Sequence, residues 1–430
     1  LDAVTELETK PEASIKEVEL LNLSGSECMD WVGGKGWQIG ENRKRSGDMF
    51  FVQIGSGRIQ APPGHPNYVN SRQNAYTKAM LEAKGNIVSS LSVTIEREIQ
   101  LQVKEGQFAS ESETKPAGTM SSIWDKTLTL INSELDTRLK EQGVIDISDA
   151  EQKRKAEEIA QNTLNSEEFK DMISTAAAMR LKGVRRVFVN ESVQSGEQGE
   201  ICVVALYSGK TMKMADAIVT GDLSHAPKGM VGKPLRDQIP DWKTSSGVRQ
   251  LMNTYGTEML RGEDGTFHLI AYAQAGTRTA SKTSNSIALS KATTRAMAEL
   301  ATFAKEHAKL TDALESSENI SEMSDKAVNY ESHEAYKKEL SSVTSPIDFS
   351  GARRIGQWAA KHPVTDQIIV GAVVEWSPNS ASAAQQAKEE LNSRTGSGAG
   401  SANRRIDSSA YGQKVSFGGS AAGGSSEEDF

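Results

Sequence analysis

Two stretches of the chain carry an alanine at every fourth position, and this spacing predicts two helices that each have a narrow, smooth face. The first stretch is residues 70–91 and the second is residues 283–307. The alanines are Ala75, Ala79 and Ala83 in the first stretch and Ala288, Ala292 and Ala296 in the second, at one offset of 213 positions (288 − 75 = 213). Because such a face lets a helix lie close against a sheet, the pattern indicates one packing unit that occurs twice.

Apolar runs around these helices repeat in the same order. Residues 49–54 and 267–272 are each typical of a strand, and Asp264-Gly265 before the second run is a hairpin signal. Further along, Arg185-Arg186 matches Arg353-Arg354 at an offset of 168 (353 − 185 = 168). Each arginine pair precedes an apolar strand and then another helix candidate. The shared order is therefore hairpin, alanine-striped helix, hairpin and helix.

This repeat predicts an α+β fold built from two diverged copies of a hairpin–helix–hairpin–helix module, each an antiparallel sheet with helices on one face. The drop in offset from 213 to 168 places a longer insertion in the first copy. The expected divisions are an N-terminal extension at 1–36, a first module at 37–223 with a helical insertion at 120–182, a linker at 224–256, a second module at 257–393 and a Gly/Ser-rich tail at 394–430.

The insertion has helical periodicity of its own. Trp124, Leu128, Ile131, Leu135 and Leu139 recur at the spacing of one helix face. The helices of the insertion either pack on their own sheet or form an arm that reaches a neighbouring molecule, and the pattern leaves both arrangements open.

Composition and charge argue against several classes of protein. The net charge of −8 over 430 residues disfavours a general nucleic-acid binder, which needs clustered lysine and arginine. No stretch approaches about eighteen consecutive apolar residues, so we expect no membrane-spanning helix. Cys28 and Cys202 are too few for a disulfide framework or a four-cysteine zinc site. We expect Cys202 in the core; an exported chain and a pair of buried free thiols both fit this cysteine count.

No motif of known chemistry emerges from the remaining residues. The six histidines lack metal-ligand spacing, and Asp222 precedes His225 without a nucleophile motif. The glycine-rich residues 33–36 lack the spacing of a phosphate loop and are expected to form a turn, with Trp31 and Trp37 as core or interface anchors. We therefore predict no enzyme activity, no cofactor, and no catalytic, metal-binding or cofactor-binding residue.

The two arginine pairs leave two interpretations open. We favour a strand start in which one arginine forms a salt bridge and the other is solvated, because surface arginines are common. The alternative is an anionic surface ligand such as phosphate or glycan.

The C-terminal tail has a pattern of its own within its Gly/Ser-rich composition. Tyr411, Val415 and Phe417 fall on one side of a partial period-two pattern, which is typical of a strand. Such a segment can add to a sheet edge of a neighbouring molecule, or fold back on its own subunit. We predict inter-subunit contacts through these three residues and the terminal Phe430.

One family resemblance follows from residues 70–83, residues 91–95 and Asp30-Trp31-Val32. This alanine-rich helix, followed by an expected strand and preceded by a tryptophan-valine start, resembles the small α/β domain of flagellar outer-membrane lipoproteins and of the T-ring protein family of sheathed flagella. The resemblance implies export, a setting in the cell envelope and ring-like or polymeric association. It implies no catalytic residues.

Together these patterns favour a structural protein that assembles with itself. We expect an exported protein that forms a ring, tube or filament of the bacterial cell envelope or surface, located in the periplasm, at the outer membrane or outside the cell. Its partners would be copies of itself and other envelope proteins, with no nucleic acid. Because the sequence begins with Leu1, we expect a processed or truncated chain. The alternatives are a proteolytically matured virion structural protein and an envelope glycan-binding module.

Overall fold

The computed structural model describes most of the chain between residues 26 and 395. The described residues are 26–65, 68–105, 120–144, 150–179, 181–192, 199–277, 279–305, 349–363 and 365–395. Their strands are β1 (Gly40–Arg43), β2 (Met49–Arg58), β3 (Arg185–Ser192), β4 (Glu200–Ser208), β5 (Gly256–Arg261), β6 (Phe267–Gly276), β7 (Arg353–Lys361) and β8 (Ile368–Trp376). Their helices are α1 (Ser26–Gly34), α2 (Tyr68–Glu105), α3 (Met120–Glu141), α4 (Ala150–Asn165), α5 (Glu167–Met179), α6 (Gly209–Thr220), α7 (Leu235–Gln238), α8 (Ser245–Met252), α9 (Lys282–Lys305) and α10 (Pro378–Thr395).

The strands form two four-stranded antiparallel sheets with the same connectivity. The order is β1-β2-β4-β3 in the first sheet and β5-β6-β8-β7 in the second. The ladders match in detail as well, because the register shifts directly after Arg186 in β3 and directly after Arg354 in β7. The predicted α+β fold with two copies of one module is confirmed.

In both copies, a glycine directly before the second hairpin allows the loop to pack closely on a helix. Gly183 and Gly351 have φ angles of +78° and +87°, in the left-handed region that favours glycine. A Cβ atom at Gly183 would lie 2.3 Å from the carbonyl oxygen of Thr211, and one at Gly351 would lie 2.3 Å from that of Ser380. These carbonyls belong to α6 and α10. The duplication therefore extends to the way each loop packs on the helix that follows its hairpin.

The alanine faces of α2 and α9 lie directly on the sheets. All six alanines of the stripe are buried. In the first copy the contact is between backbones, because a Cβ atom at Gly57 of β2 would lie 2.1 Å from the carbonyl oxygen of Ala75, and one at Gly55 would lie 2.0 Å from that of Ala79. Small residues on both partners thus set the short helix–sheet separation.

Residues 91–95 are helical, so the strand expected there is wrong. They lie within α2, which continues to Glu105. Leu91, Ile95 and Ile99 are buried at the spacing of one helix face, where they join the core formed with the insertion helices. Helical periodicity therefore prevails over the strand propensity of valine, threonine and isoleucine in this stretch.

The insertion helices pack on their own module. Ile131 and Leu135 of α3, Ile159 of α4 and Phe169 of α5 belong to the same buried core as the alanine face of α2. Within the described residues this is the first of the two arrangements that the sequence left open. Trp124 and Leu128 lie on α3, but their side chains are outside the described part of the structure.

Short helices cover the opposite face of each sheet. On the first sheet α1 packs against β2 and β4, and Cys28 of α1 forms a disulfide with Cys202 of β4. The two cysteines are therefore not free thiols, although Cys202 is buried as expected. On the second sheet, Ile239, Val248 and Leu251 from the expected linker cover β6 and β8. Both sheets are thus enclosed on two sides.

Candidate functional site at the joint between the modules

The two modules meet where β3, the last strand of the first sheet, lies against β5, the first strand of the second sheet. The two strands are not joined in a backbone ladder. Instead Arg186 donates from Nε to the carbonyl oxygen of Tyr255, and Arg185 donates from Nη1 to that of Met259 at 3.4 Å. The Nη2 atom of Arg186 also lies 3.4 Å from Oε2 of Glu258. Arginine side chains therefore join the two sheets.

This placement corrects the favoured interpretation of the first arginine pair. Arg185 and Arg186 are only 2% and 6% exposed, so neither is solvated. The guanidinium of Arg186 lies 5.3 Å from the centre of the Tyr272 ring, in the second sheet. Burial between two sheets supplies carbonyl, carboxylate and aromatic partners that the sequence pattern of a single strand does not reveal.

Arg72 of α2 is the centre of a second set of contacts across the joint. Its side chain is 1% exposed and forms an ion pair with Glu191 of β3, with Nε at 2.7 and 2.9 Å from the two carboxylate oxygens. Its Nη2 donates to the carbonyl oxygen of Met252 at 3.0 Å, and its Nη1 lies 3.4 Å from Oε1 of Gln274. One guanidinium thus bridges α2 and β3 of the first module to α8 and β6 of the second.

Gln274 holds together the elements that the second module contributes to this site. Its Nε2 donates to the carbonyl oxygens of Leu251 at 3.0 Å and Met252 at 2.8 Å. The amide therefore holds the end of α8 on β6 and turns its Oε1 toward Arg72. Both hydrogen-bonding ends of this buried side chain have partners, as buried polar groups require.

Aromatic rings enclose the ion pair. Tyr255 lies 5.7 Å from the Arg72 guanidinium and stacks on Tyr76 of α2, with ring centres 5.1 Å apart. Tyr68 donates to Glu191 at 3.4 Å, and its ring meets that of His362 at 5.1 Å. The rings exclude water and strengthen the attraction between Arg72 and Glu191.

The electrostatics of the site follow from this exclusion of water. Burial, with the nearby carboxylate of Glu191, raises the pKa of Tyr68, and burial raises the pKa of Tyr255. Burial opposes the charge of Arg72, but Glu191 outweighs this effect and raises the pKa of Arg72. Burial and the positive charge of Arg72 lower the pKa of His362 to about 4. At neutral pH the tyrosine and histidine rings around Arg72 are therefore uncharged.

A further buried cation lies on α2, where it faces the second module. Lys84 is buried near Glu299 of α9, and burial lowers the pKa of Lys84 to about 7 despite the attraction of that carboxylate. The same carboxylate adds to burial in raising the pKa of Tyr76. The electrostatic influence of the second module on α2 therefore extends beyond Arg72.

The polar groups of this site form a structural contact between the two modules. The guanidinium, carboxylate and amide groups are directed at one another and at backbone carbonyls, and the side chains of Arg72 and Gln274 are almost fully buried. In the described part of the chain, no group of three or more His, Cys, Asp or Glu residues is placed to hold a metal ion. The arrangement can fix the relative position of the two modules.

The residues singled out in the sequence lie elsewhere. Trp31 and Trp37 pack around the disulfide. Of the turn expected at residues 33–36, Gly33 and Gly34 are instead the last residues of α1, and the turn follows at Lys35 and Gly36. Asp222 accepts hydrogen bonds from the backbone and hydroxyl of Ser224, and the His225 side chain is outside the described residues. The predicted tail contacts, Tyr411, Val415, Phe417 and Phe430, also lie outside the described residues.

Sequence analysis missed Arg72, Glu191 and Gln274. A usable signal existed for Gln274, which interrupts an otherwise apolar run on β6 and so points to a buried hydrogen-bonding role. Arg72 and Glu191 are 119 positions apart, and nothing in their local sequence links them.

Comparison with known proteins gives no activity. Residues 120–220 match a family described as a domain of unknown function, DUF6844; the match begins with α3 and ends with α6. A crystal structure of the hypothetical protein FTT1539c from Francisella tularensis is 21% identical with a TM-score of 0.42, over 85% of this chain and 94% of that chain. No curated protein matches the chain.

Breaking the buried ion pair from one side should be costly. We expect Arg72→Met or Glu191→Gln to lower the free energy of unfolding by about 3–5 kcal/mol, because each leaves a buried charge without its partner. The double variant should lose less than the sum of the two. The measurement is urea unfolding of all four proteins. The surface pair Arg138 and Glu168, whose side chains are 25% and 78% exposed, serves as the control, at about 0–1 kcal/mol. An Arg72→Met effect no larger than that of Arg138→Met would contradict the assignment.

His362 should make the fold sensitive to mild acid. Its folded pKa is about 4, against an ordinary value of 6.5. An unfolded chain therefore binds a proton below pH 6.5 that the folded chain excludes until about pH 4, so stability falls as pH falls through this window, by at most about 3 kcal/mol. We expect His362→Gln to reduce this dependence in urea unfolding across pH 4–7. The control His65→Gln, an exposed histidine, should leave it unchanged. Parallel curves for His362→Gln and the parent protein would refute the prediction.

Proposed function

We propose that this protein is an exported structural protein that assembles with copies of itself into a ring, tube or filament of the bacterial cell envelope or surface. The observation that carries the proposal is the joint. Two modules of one architecture are held in a fixed relation by buried charges, and the strands β1 and β7 are left as the outer strands of the series. A rigid tandem unit of this kind suits a building block.

The geometry of a tandem unit favours contacts between unlike surfaces. In the described residues, β1 has a strand neighbour only in β2, and β7 has one only in β8. A contact between two different surfaces of identical molecules generates a ring if it closes and a filament if it does not. This reasoning agrees with the ring-like association implied by the flagellar resemblance, which stays part of the proposal.

The disulfide supports export. Disulfides form and persist in oxidising compartments such as the periplasm and the cell exterior, and are rare in the cytosol. The Cys28–Cys202 bond is buried beneath Trp31 and Trp37 and closes a sequence separation of 174 residues. None of the helices in the described ranges is long and apolar enough to cross a membrane. We place the protein in the periplasm, at the outer membrane or on the cell surface, with itself and other envelope proteins as partners.

Export predicts an oxidised cysteine pair in living cells. Maleimide is added to intact bacteria, and the protein is then denatured in its presence. The protein should carry no label until a reductant is added. The Cys28→Ser variant supplies the control, because its Cys202 should label without reductant. We also expect loss of the bond to cost about 2–5 kcal/mol of stability in urea unfolding. Labelling of both cysteines in the parent protein without reductant would argue against export.

Assembly predicts polymers that depend on the tail. Negative-stain electron microscopy of the purified chain at rising concentration should show regular rings or filaments. Deletion of residues 394–430 should abolish them and leave the unfolding curve unchanged, because a tail strand is expected to join neighbours. A full-length control with Tyr411→Ser, Val415→Ser and Phe417→Ser separates loss of contacts from loss of length. A chain that stays monomeric at every concentration would overturn the proposal, and unchanged polymers after the deletion would remove the tail from it.

A further inference from the structure

We propose that the edge of β7 at Arg353 and Arg354 receives strand β1 of a second copy of this chain, in the way that β3 receives β5 inside the chain. The inference rests on the proposed self-assembly and adds one further pair of surfaces to the contact proposed for the tail. The internal joint is the template for the contact.

The first argument is positional equivalence. Arg185 and Arg186 stand opposite Leu206 and Ala205 of β4, and the register shifts directly afterwards. Arg353 and Arg354 stand opposite Glu375 and Val374 of β8, and the register shifts at the same place. The second module therefore presents an arginine pair at the position that forms the internal joint of the first module.

The second argument is exposure. The first arginine pair is buried because β5 follows it in space, whereas the Arg353 side chain is 66% exposed and Arg354 is exposed as well. Arg353 is held on the surface by the buried carboxylate of Glu375, at 2.7 Å from Nε. Burial would raise the pKa of Glu375, but the hydrogen bonds from His268 and Arg353 outweigh it and lower that pKa. The pair is thus positioned without being covered by another strand of the described chain.

The third argument concerns β1, the strand that β7 would receive. Gly40 pairs with Val52 and Glu258 pairs with Ile270, so β1 corresponds to β5 at an offset of 218 (258 − 40 and 270 − 52). At this offset Ile39 corresponds to Thr257. Thr257 is 5% exposed at the internal joint, while the apolar Ile39 is 40% exposed. The surface that the joint would cover therefore carries an uncovered isoleucine directly before β1.

Charge also fits this pairing. Glu41 follows Gly40 on β1, and Gly40 corresponds to Glu258, the internal partner of Arg186. At the offset of 218 Glu41 itself corresponds to Met259, and its carboxylate binds Arg43 at 2.8 Å and Arg97 of α2 at 2.5 Å. An arginine from a second copy would find a carboxylate and backbone carbonyls there, each with more than one acceptor site.

The backbone of β1 suits an arginine-mediated contact better than a ladder. The side chain of Asn42 binds the N–H and C=O groups of Gln38, and Gln38 donates from Nε2 to the carbonyl oxygen of Glu41 at 2.7 Å. These local bonds occupy groups that a paired strand would need. The internal joint likewise uses arginine side chains in place of a ladder.

The contact between copies should be weaker than the internal joint. Arg72 corresponds to Asn285 at the helix offset of 213, and Glu191 corresponds to Ala359 at the strand offset of 168. The buried ion pair is therefore absent from the proposed contact. We expect reversible, concentration-dependent assembly.

Mixed cysteine variants test the pairing directly. One full-length variant carries Ile39→Cys directly before β1 and another carries Gln357→Cys on β7, while the native cysteines remain in their disulfide. With a short bis-maleimide, we expect a cross-linked dimer only when the two variants are mixed. Cross-linking of Gln357→Cys alone would show a symmetric β7–β7 contact and overturn the proposal. Polymers without cross-links would overturn it while self-assembly stands, and absence of polymers from the parent protein would mark failure of the proposed function itself.

A charge reversal at Arg354 provides a second test of the contact, with a matched control on the same strand. Arg354→Glu should raise the concentration needed for assembly by about tenfold or more, measured by light scattering and analytical ultracentrifugation. Lys361→Glu makes the same charge change at the far end of β7, away from the arginine pair, and should leave the threshold nearly unchanged. Unfolding curves confirm that both variants fold. Equal thresholds for the two variants would overturn the proposal.

Discussion

The buried ion pair between Arg72 and Glu191 constrains how the two modules can be arranged. A guanidinium that is 1% exposed has lost its water and must be paired and hydrogen-bonded throughout. Its partners come from β3, α8 and β6, so these elements have only one relative position in which the charge is satisfied. The two modules also share apolar contacts, because Met214 and Ile218 of α6 belong to one buried cluster with Phe267 of the second sheet. The ion pair adds a directional contact to this apolar joint.

The position of Arg72 depends in turn on how closely its helix lies on the sheet. The backbone contact of Gly55 and Gly57 with the alanine face leaves no room for adjustment between α2 and β2. Arg72 lies one turn before Ala75 on α2, so its height above the sheet is fixed by that contact. Close packing inside the first module therefore positions the charge that binds the second module.

Structural features that occur twice could be predicted from the sequence, whereas features that occur once could not. Alanine spacing and the arginine pairs predicted two modules because each pattern appears twice at a constant offset. Glu191, Gln274 and the disulfide depend on contacts between segments far apart in the chain, which no local pattern encodes. The strand expected at residues 91–95 failed for a related reason, since the insertion helices that bury Leu91 and Ile95 are distant in sequence.

The difference between the two arginine pairs shows what duplication alone does not decide. Arg185 and Arg353 follow equivalent glycines and precede equivalent bulges, so their local backbone structure is the same. One is buried and the other exposed because only the first has a further module beside it. Their chemistry differs accordingly: Arg185 binds a backbone carbonyl of the next sheet, while Arg353 binds Glu375 of its own sheet. The neighbour, more than the sequence of the strand, sets what the arginine does.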